Sequence, residues 1–190
     1  MQFPHTWPRS RLAHVGLIQP TRHDTVPRGG PQVAQESLAG CSAAACGTCD
    51  LPHAAEAADD LLTLYKSETT CRPSAAVLRG NTHCRLALSN LPDEVYEREW
   101  DLIMIDGPQG WFAEAPGRMS VIFSVAVVAR KRRGPGSTHV FLHDVDRKVE
   151  KAFAEEFLCR KYLVNAVGRL WHFVIPSAVD VNDTDDASFC

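Results

Sequence analysis

Acidic side chains follow two apolar runs of the sequence, at the point where each run ends. Asp106 comes directly after Leu102–Ile105, and His143 and Asp144 come directly after Thr138–Leu142. If both runs are strands, their carboxyl ends meet at the edge where parallel sheets bind ligands. Asp106 could then orient a hydroxyl group, accept its proton or hold a divalent cation, and His143 could act as a base beside Asp144. We predict catalytic roles for Asp106, His143 and Asp144, with Asp106 and Asp144 as candidate metal ligands.

Structural roles are the alternative for the same side chains. Asp106 could cap the turn at Gly107-Pro108, which stops the preceding strand. His143 and Asp144 could be polar groups whose hydrogen bonds are satisfied within the fold. Only the positions of these groups relative to one another can separate the two interpretations.

Alternating strands and helices are predicted to position these groups. Leu102–Ile105 is too short and too β-branched for a helix and lacks polar alternation, which predicts a strand covered on both faces. Pro116–Arg130 predicts a helix that is apolar around most of its circumference and is therefore buried. Arg130–Arg133 supplies cations that suit the carboxyl end of that helix, with a polyanion contact as the alternative. Thr138–Leu142 predicts a second buried strand.

Further elements are predicted on both sides of this centre. They are an amphipathic helix at Ala54–Lys66, two strand candidates at Ala76–Leu78 and Arg85–Leu88, a helix at Arg147–Phe157 capped by Asp146, and a terminal hairpin of Tyr162–Asn165 with Arg169–Ile175. The order of strand, helix, strand, helix and hairpin predicts right-handed βαβ units followed by an antiparallel pair. We therefore predict an α/β fold that forms the carboxyl-terminal part of a doubly wound sheet.

Composition excludes some classes of function. The 190 residues suffice for one domain with a hydrophobic core. A net charge of −3 and a pI of about 6.2 argue against a nucleic-acid surface, which usually carries a basic excess. No run of eighteen apolar residues occurs, so we predict no membrane segment in this chain.

The seven cysteines indicate an oxidising compartment. Cys71 and Cys84 flank a short loop-rich segment, and Cys159 and Cys190 could tie the carboxyl-terminal tail to the sheet. We therefore hypothesise two disulfides, one within each of these pairs.

Residues 1–53 differ from the rest of the chain. Pro and Gly interrupt every run, and no helical or strand period of useful length is present. Cys46 and Cys49 form a CxxC pair, but no second CxxC or HxxxH follows at a suitable distance for zinc. We predict a disordered or poorly packed segment at 1–53, a domain at 54–178 and a tail at 179–190.

Four stretches of the sequence resemble a known family. They are WDLIMIDGP, FAEAPGRMS, HVFLHDVDRKVEKAFAEEFLCRKYLVNA and GRLWHFVIP. They are similar to the plant polysaccharide-biosynthesis domain family, which includes the glucuronoxylan 4-O-methyltransferases and the irregular-xylem proteins. The resemblance covers roughly residues 56–190, and the forms WFAEAPGRM and FLHDVDRKVE look most similar to the irregular-xylem clade.

The resemblance implies a fold, a cofactor and a location. It implies a partial Rossmann-like sheet of the class I methyltransferase type, use of S-adenosylmethionine and attachment to the Golgi apparatus. A divalent metal is a further candidate. Xylan or glucuronoxylan and the xylan-synthesis proteins are the implied partners. The family also has a membrane anchor and a Gly-rich turn that cradles the methyl donor, and residues 1–53 show neither. We therefore expect weak donor binding, and we hypothesise an altered reading of the gene in that segment.

Three more side chains gain an interpretation from the resemblance. Arg118 could pair bidentately with the carboxylate of a glucuronic acid, or it could hold Glu114 at the start of a helix. Trp111 could stack on a sugar face, or it could be an ordinary loop aromatic. We predict Glu114, Arg118 and Trp111 as substrate-binding residues.

Three functions follow from the resemblance. The first is a protein of xylan biosynthesis in the plant secondary cell wall, without an established catalytic activity in this clade. The second is an S-adenosylmethionine-dependent methyltransferase that acts on the 4-hydroxyl of glucuronic acid in glucuronoxylan, with Asp106 or His143 assisting deprotonation. The third is a non-catalytic binding or scaffold fragment.

Overall fold

A mixed β-sheet lies at the centre of the fold. The structure is a computed structural model, and it describes residues 12–15, 54–72, 77–108, 117–177 and 189–190. The strands are β1 Leu12–Val15, β2 Leu102–Ile105, β3 Ser137–Leu142, β4 Leu163–Val167 and β5 Leu170–Pro176. They are ordered β1-β2-β3-β5-β4; β1, β2 and β3 are parallel, and β5 is antiparallel to β3 and β4. The α/β class and the predicted strands of β2, β3 and the terminal hairpin are confirmed.

Four α-helices accompany the sheet within the described ranges. They are α1 Ala54–Ser67, α2 Asp93–Glu97, α3 Met119–Arg130 and α4 Lys148–Phe153, which continues into a π-helix at Ala154–Cys159. The predicted helices around α1, α3 and α4 are confirmed, although the last one changes to π-helical geometry where one continuous helix was expected. The doubly wound, methyltransferase-type arrangement remains a prediction.

Helix α3 is the central helix of the core. Gly117 has a φ of +66°, a left-handed conformation that favours glycine, and it turns the chain into α3. Val121 and Val125 are β-branched and poor helix formers, so burial of the helix outweighs its weak intrinsic propensity. In the core, the Phe123 ring lies 5.3 Å from that of Phe157 in an edge-to-face contact. This packing holds α3 within the hydrophobic core.

One face of the sheet is fully buried and the other is not. Ile103 and Ile105 of β2 are at most 2% exposed, whereas Leu102 and Met104 are half-buried. The prediction of a β2 covered on both faces is therefore wrong for its second face. Among the described residues, the hydrophobic core gathers on the face of Ile103 and Ile105.

The strand predicted at Arg85–Leu88 is wrong. Its backbone is bound by side chains of other elements, because the Leu88 amide donates to Ser124 Oγ at 3.0 Å and the Leu88 carbonyl accepts from the Tyr96 hydroxyl at 2.8 Å. A turn also joins the Ala87 amide to the Cys84 carbonyl at 2.9 Å. With these groups occupied, no ladder partner can form.

The strand candidate at Ala76–Leu78 is also wrong over its described part. Leu78 accepts a hydrogen bond from the Asn81 amide at 3.1 Å, which closes a turn. Gly80 in that turn has a φ of +68°. A turn of this kind replaces the extended backbone that the apolar residues favoured.

Strand β1 corrects the interpretation of the amino-terminal segment. Residues 1–53 were predicted to contain no strand, but Leu12–Val15 pairs with Leu102–Ile105 as a parallel edge strand. Four residues are too few to show a period, and the edge of β2 supplies the pairing instead. The rest of the predicted disordered segment lies outside the described residues, as does its CxxC pair.

Both hypothesised disulfides are present. Cys71 bonds to Cys84, and Cys159 bonds to Cys190. The second bond brings Phe189 into the core, where it is 4% exposed and its ring lies 5.2 Å from that of Phe157. None of the helices in the described ranges is long and apolar enough to span a membrane.

Candidate functional site

The carboxyl ends of β2 and β3 lie side by side. Ile105 pairs with Leu142 in the sheet, and the next amide along, that of His143, donates to the Ile105 carbonyl at 3.0 Å. Asp106 and His143 therefore emerge together where the two strands finish. The predicted proximity of these two side chains is confirmed.

The imidazole of His143 lies between two carboxylates. Its Nδ1 is 3.1 Å from Asp106 Oδ1 and 3.2 Å from Asp144 Oδ1. Ionised carboxylates only accept hydrogen bonds, so Nδ1 carries the proton when no cation is bound. In the neutral ring Nε2 then has the free lone pair, which is the form that accepts a proton.

Asp144 is the buried member of the site. Its side chain is 7% exposed, whereas that of Asp106 is 53% exposed. Asp144 also has a φ of +63°, a left-handed conformation that aspartate tolerates better than most residues. This turn reverses the chain after β3, and the Arg147 amide closes it by donating to the Asp144 carbonyl at 3.0 Å.

Three arginines surround the Asp144 carboxylate. Arg118 Nη1 and Arg147 Nη2 lie 2.7 and 2.9 Å from Oδ2, and Arg169 Nη2 lies 2.6 Å from Oδ1. Burial alone would raise the pKa of Asp144, but the hydrogen bond and charge of Arg118, with the charges of Arg147 and His143, outweigh burial and lower it. Asp144 is therefore a carboxylate at neutral pH.

Arg118 donates hydrogen bonds to the residues that follow β2 and β3. Its side chain is 4% exposed, and its guanidinium donates to the backbone carbonyls of Asp106 and His143, each at 3.1 Å. Its first partners are groups of the chain itself. This position suits a residue that supports the site, and the pairing of Arg118 with a sugar carboxylate stays a prediction.

Glu150 lies deeper in the same cluster. It is 2% exposed, and its Oε1 is 3.6 Å from Arg147 Nη1 and 3.9 Å from Arg118 Nη1. Within the part of the chain that the structure describes, Oε1 forms no hydrogen bond. The ion pairs compensate its charge without satisfying its hydrogen-bonding capacity.

Two of the predicted substrate-binding residues cannot be placed. Trp111 and Glu114 lie outside the described residues.

Asp146 is placed, and its predicted role as a helix cap is wrong. Arg147 precedes α4 without a side-chain cap, and Asp146 Oδ1 instead accepts a hydrogen bond from Arg169 Nε at 2.9 Å.

The site offers donors that suit a divalent cation. Asp106, His143 and Asp144 each place one ligand atom within 4.8 Å of the other two. Adjacent ligands of one ion lie roughly 3 Å apart when each bond is about 2.1 Å, which is close to the measured His143–carboxylate separations. The donor types and spacing therefore fit, but Asp144 Oδ1 already has Arg169 as a close partner.

Sequence comparison identifies the family to which the chain belongs. Residues 50–173 match the sequence model of IRX15/IRX15L/GXM. The chain belongs to this family. The IRX15/IRX15L/GXM match includes every placed residue of the site, from Asp106 to Arg169. No solved structure matches the chain.

Named members of the family come from Arabidopsis thaliana. The chain is 64% identical to arabinogalactan O-methyltransferase 1 over 135 residues, which is 70% of this chain and 47% of that protein. It is 48% identical to glucuronoxylan 4-O-methyltransferase 1 over 108 residues, 56% of this chain and 38% of that protein. Identity to Protein IRREGULAR XYLEM 15 is 43% over 139 residues, 72% of this chain and 41% of that protein.

These relatives correct one expectation. The chain was expected to be most similar to the irregular-xylem clade, yet its identity to the arabinogalactan enzyme is higher by a wide margin. Relatives named for arabinogalactan and for glucuronoxylan both match the chain, so xylan is not singled out. The methyltransferase relatives imply S-adenosylmethionine use in the family. The chain spans less than half the length of each of these relatives.

Sequence reasoning missed Arg147, Glu150 and Arg169 as members of the site. A signal for two of them was available, because Asp144, Arg147 and Glu150 follow one another at intervals of three residues. That spacing places opposite charges on one side of a helical turn. Arg169 had no such signal, since it reaches Asp144 from the turn between β4 and β5.

Proposed function

We propose that the chain is part of an S-adenosylmethionine-dependent O-methyltransferase of plant wall polysaccharides. The observation that carries the proposal is the position of His143, whose Nδ1 lies between the carboxylates of Asp106 and Asp144 at the ends of two parallel strands. The similarity to arabinogalactan O-methyltransferase 1 supports the reaction class. Rossmann-like topology is part of the proposal, because parallel strand ends of that fold are where ligands bind.

His143 acts as the general base. Asp144 and Asp106 accept from Nδ1 and fix the tautomer, so Nε2 receives the proton of the acceptor hydroxyl. S-adenosylmethionine, when bound, would supply the methyl group, whose bond to sulfur would be exchanged for a bond to the acceptor oxygen. The buried Asp144 stabilises the imidazolium that results, and Arg118 holds the carboxylate in place.

A divalent cation is a second mode for the same residues. Asp106, His143 and Asp144 would hold it, with His143 as a ligand through the nitrogen that otherwise carries a proton. Such a cation would lower the pKa of the acceptor hydroxyl and so supply the alkoxide. Chelation separates the modes, because a base mechanism persists in EDTA and a cation mechanism does not.

Arabinogalactan is the first acceptor that we propose. The higher identity to the arabinogalactan enzyme favours it over glucuronoxylan, which is the second acceptor. Location in the Golgi apparatus and association with xylan or xylan-synthesis proteins remain proposals that follow from the family resemblance. The two disulfides support an oxidising compartment.

Transfer of a radiolabelled methyl group tests the proposal. The 190-residue chain is incubated with labelled S-adenosylmethionine and with arabinogalactan or glucuronoxylan, and the label in the polysaccharide is counted. We expect incorporation into arabinogalactan that is slow and needs a high donor concentration, because donor binding by this chain is expected to be weak. His143→Gln should lower it by a further factor of about 100, because the proton acceptor is gone. His83→Gln is the matched control, since His83 is exposed and lies outside the site.

Two outcomes would contradict the enzyme assignment. One is the absence of label in both polysaccharides, and the other is equal labelling by the wild type and His143→Gln. In the first case, co-purification of xylan-synthesis proteins with the unlabelled chain would favour the scaffold alternative.

A further inference from the structure

Arg169 covers the oxygen of Asp144 that faces the site. Asp144 Oδ2 is bound by the two more deeply buried arginines, Arg118 and Arg147. Its other oxygen, Oδ1, is the one within 3.2 Å of His143 Nδ1, and Arg169 Nη2 approaches this same atom to 2.6 Å. A cation bound by Asp106, His143 and Asp144 would therefore compete with Arg169 for Asp144 Oδ1.

Arg169 also differs from the other two arginines in its freedom to move. Its side chain is 50% exposed, against 4% for Arg118 and 21% for Arg147. Its backbone is fixed, because the Arg169 carbonyl accepts from the Val145 amide at 3.2 Å. The guanidinium can thus leave Asp144 for solvent without any change in the hairpin, and Asp146 gives it a second, exposed partner at 2.9 Å.

We propose that Arg169 is a positioning residue that shares Asp144 Oδ1 with a divalent cation, each replacing the other. In the cation-free chain Arg169 compensates the Asp144 charge and keeps the carboxylate directed at His143. When a cation binds between Asp106, His143 and Asp144, Arg169 releases Asp144 and keeps its contact with Asp146. The inference rests on the cation mode of the proposed function.

Electrostatics sets the size of the effect. Removing the Arg169 charge frees Oδ1 and also removes a repulsion between two positive groups. A divalent ion about 5 Å from a unit positive charge is repelled even at the dielectric constant of water, by an amount that lowers its affinity on the order of tenfold. A cation should therefore bind about tenfold more tightly once Arg169 is neutral.

Mn²⁺ binding to the 190-residue chain tests the inference by calorimetry and by electron paramagnetic resonance. Arg169→Met should bind Mn²⁺ about tenfold more tightly than the wild type, whereas Arg169→Lys should stay close to the wild type because it keeps the charge. Arg160→Met is the matched control, since Arg160 is an exposed arginine paired with Glu155 away from the site. If Arg169→Met does not unfold cooperatively, the neutral Arg169→Gln replaces it.

The outcomes separate this inference from the proposed function. Equal or weaker Mn²⁺ binding by both neutral variants would overturn the inference, because a merely structural arginine lowers affinity when it is removed. Mn²⁺ binding that survives Asp106→Asn places the ion elsewhere, and it then contradicts the cation mode itself. Methyl transfer that persists in EDTA leaves the base mechanism standing even if the role of Arg169 fails.

Discussion

His143 Nδ1 lies 3.1 Å from Asp106 Oδ1, although 36 residues separate the two in the chain and each follows a different strand. Their proximity is a consequence of the parallel pairing of β2 with β3, which brings the two carboxyl ends to one edge. The arginines that complete the site come from three further places, namely the start of α3, the turn after β3 and the β4–β5 turn. Substitution of these supporting groups should therefore change the free energy of unfolding.

Loss of Arg118 should be costly. Its guanidinium is 4% exposed and compensates the buried Asp144 while holding the carbonyls of Asp106 and His143. Arg118→Met leaves a buried carboxylate with one fewer partner, so we expect a loss of about 3–5 kcal/mol in the free energy of unfolding. Urea denaturation measures it, with the exposed Arg160→Met expected within about 0.5 kcal/mol of the wild type. An equal effect of the two substitutions would contradict the supporting role.

Asp144 should make stability depend on acid pH. Its pKa is lowered in the folded chain, so its favourable contribution is complete above the unfolded pKa of about 3.9 and is lost as pH falls below that value. The gap in unfolding free energy between the wild type and Asp144→Asn should be widest between about pH 5 and 7 and should shrink below about pH 4. A gap that stays constant from neutral to acid pH would show that the charge of Asp144 is not what stabilises the fold.

His172 should also make the chain less stable as pH falls, but in a higher pH range than Asp144. Burial, followed by the charge of nearby His139, lowers the pKa of His172, and its ring stacks on Phe141 with centroids 4.1 Å apart. Because the unfolded chain then binds protons more readily, the wild type loses stability as pH falls below the unfolded value of about 6.5. His172→Phe keeps the stack and removes this titration.

The comparison of melting temperatures from pH 8 to pH 5 measures the His172 effect. We expect the melting temperature of His172→Phe to rise relative to that of the wild type as pH falls from 8 to 5. A difference that is independent of pH would mean that His172 does not titrate in this range.

The Cys159–Cys190 bond should stabilise the core through the tail. It closes a loop of 31 residues, for which chain entropy predicts about 3–4 kcal/mol. Phe189 loses its fixed position beside Phe123 and Phe157 when the bond is absent. Cys190→Ser should therefore unfold at lower urea than the wild type, and the two should converge once reductant is present. Identical urea midpoints without reductant would contradict this expectation.

Local sequence patterns predicted β2, β3 and the polar residues that follow them, but not the arginines that contact those residues. Asp106 and His143 were foreseeable because each ends an apolar run, and parallel strands bring such ends together. The burial of Arg118 was not predicted, because sequence cannot show that a charged side chain is buried by the surrounding core. Arg169 was not foreseen, since its contact with Asp144 depends on the twist of a hairpin.

The strand candidates failed for a related reason. Apolar residues at Arg85–Leu88 suit a strand as well as a packed loop, and the choice was made by Ser124 and Tyr96, which bind the Leu88 backbone. Hydrophobic periodicity and β-propensity are properties of a segment by itself. They cannot show hydrogen bonds from side chains elsewhere in the chain.

The burial of Cys159 bears on how the chain is made. Its side chain is 1% exposed and lies under Phe189, with the Arg130 guanidinium 3.1 Å from the sulfur. An oxidising enzyme cannot reach the sulfur while Phe189 covers it, so we expect the link to Cys190 to form before the last residues pack against the core. Production in a reducing bacterial cytosol would then yield material whose last residues are untethered. Because Phe189 no longer covers Cys159 in that material, later exposure to air should restore the link.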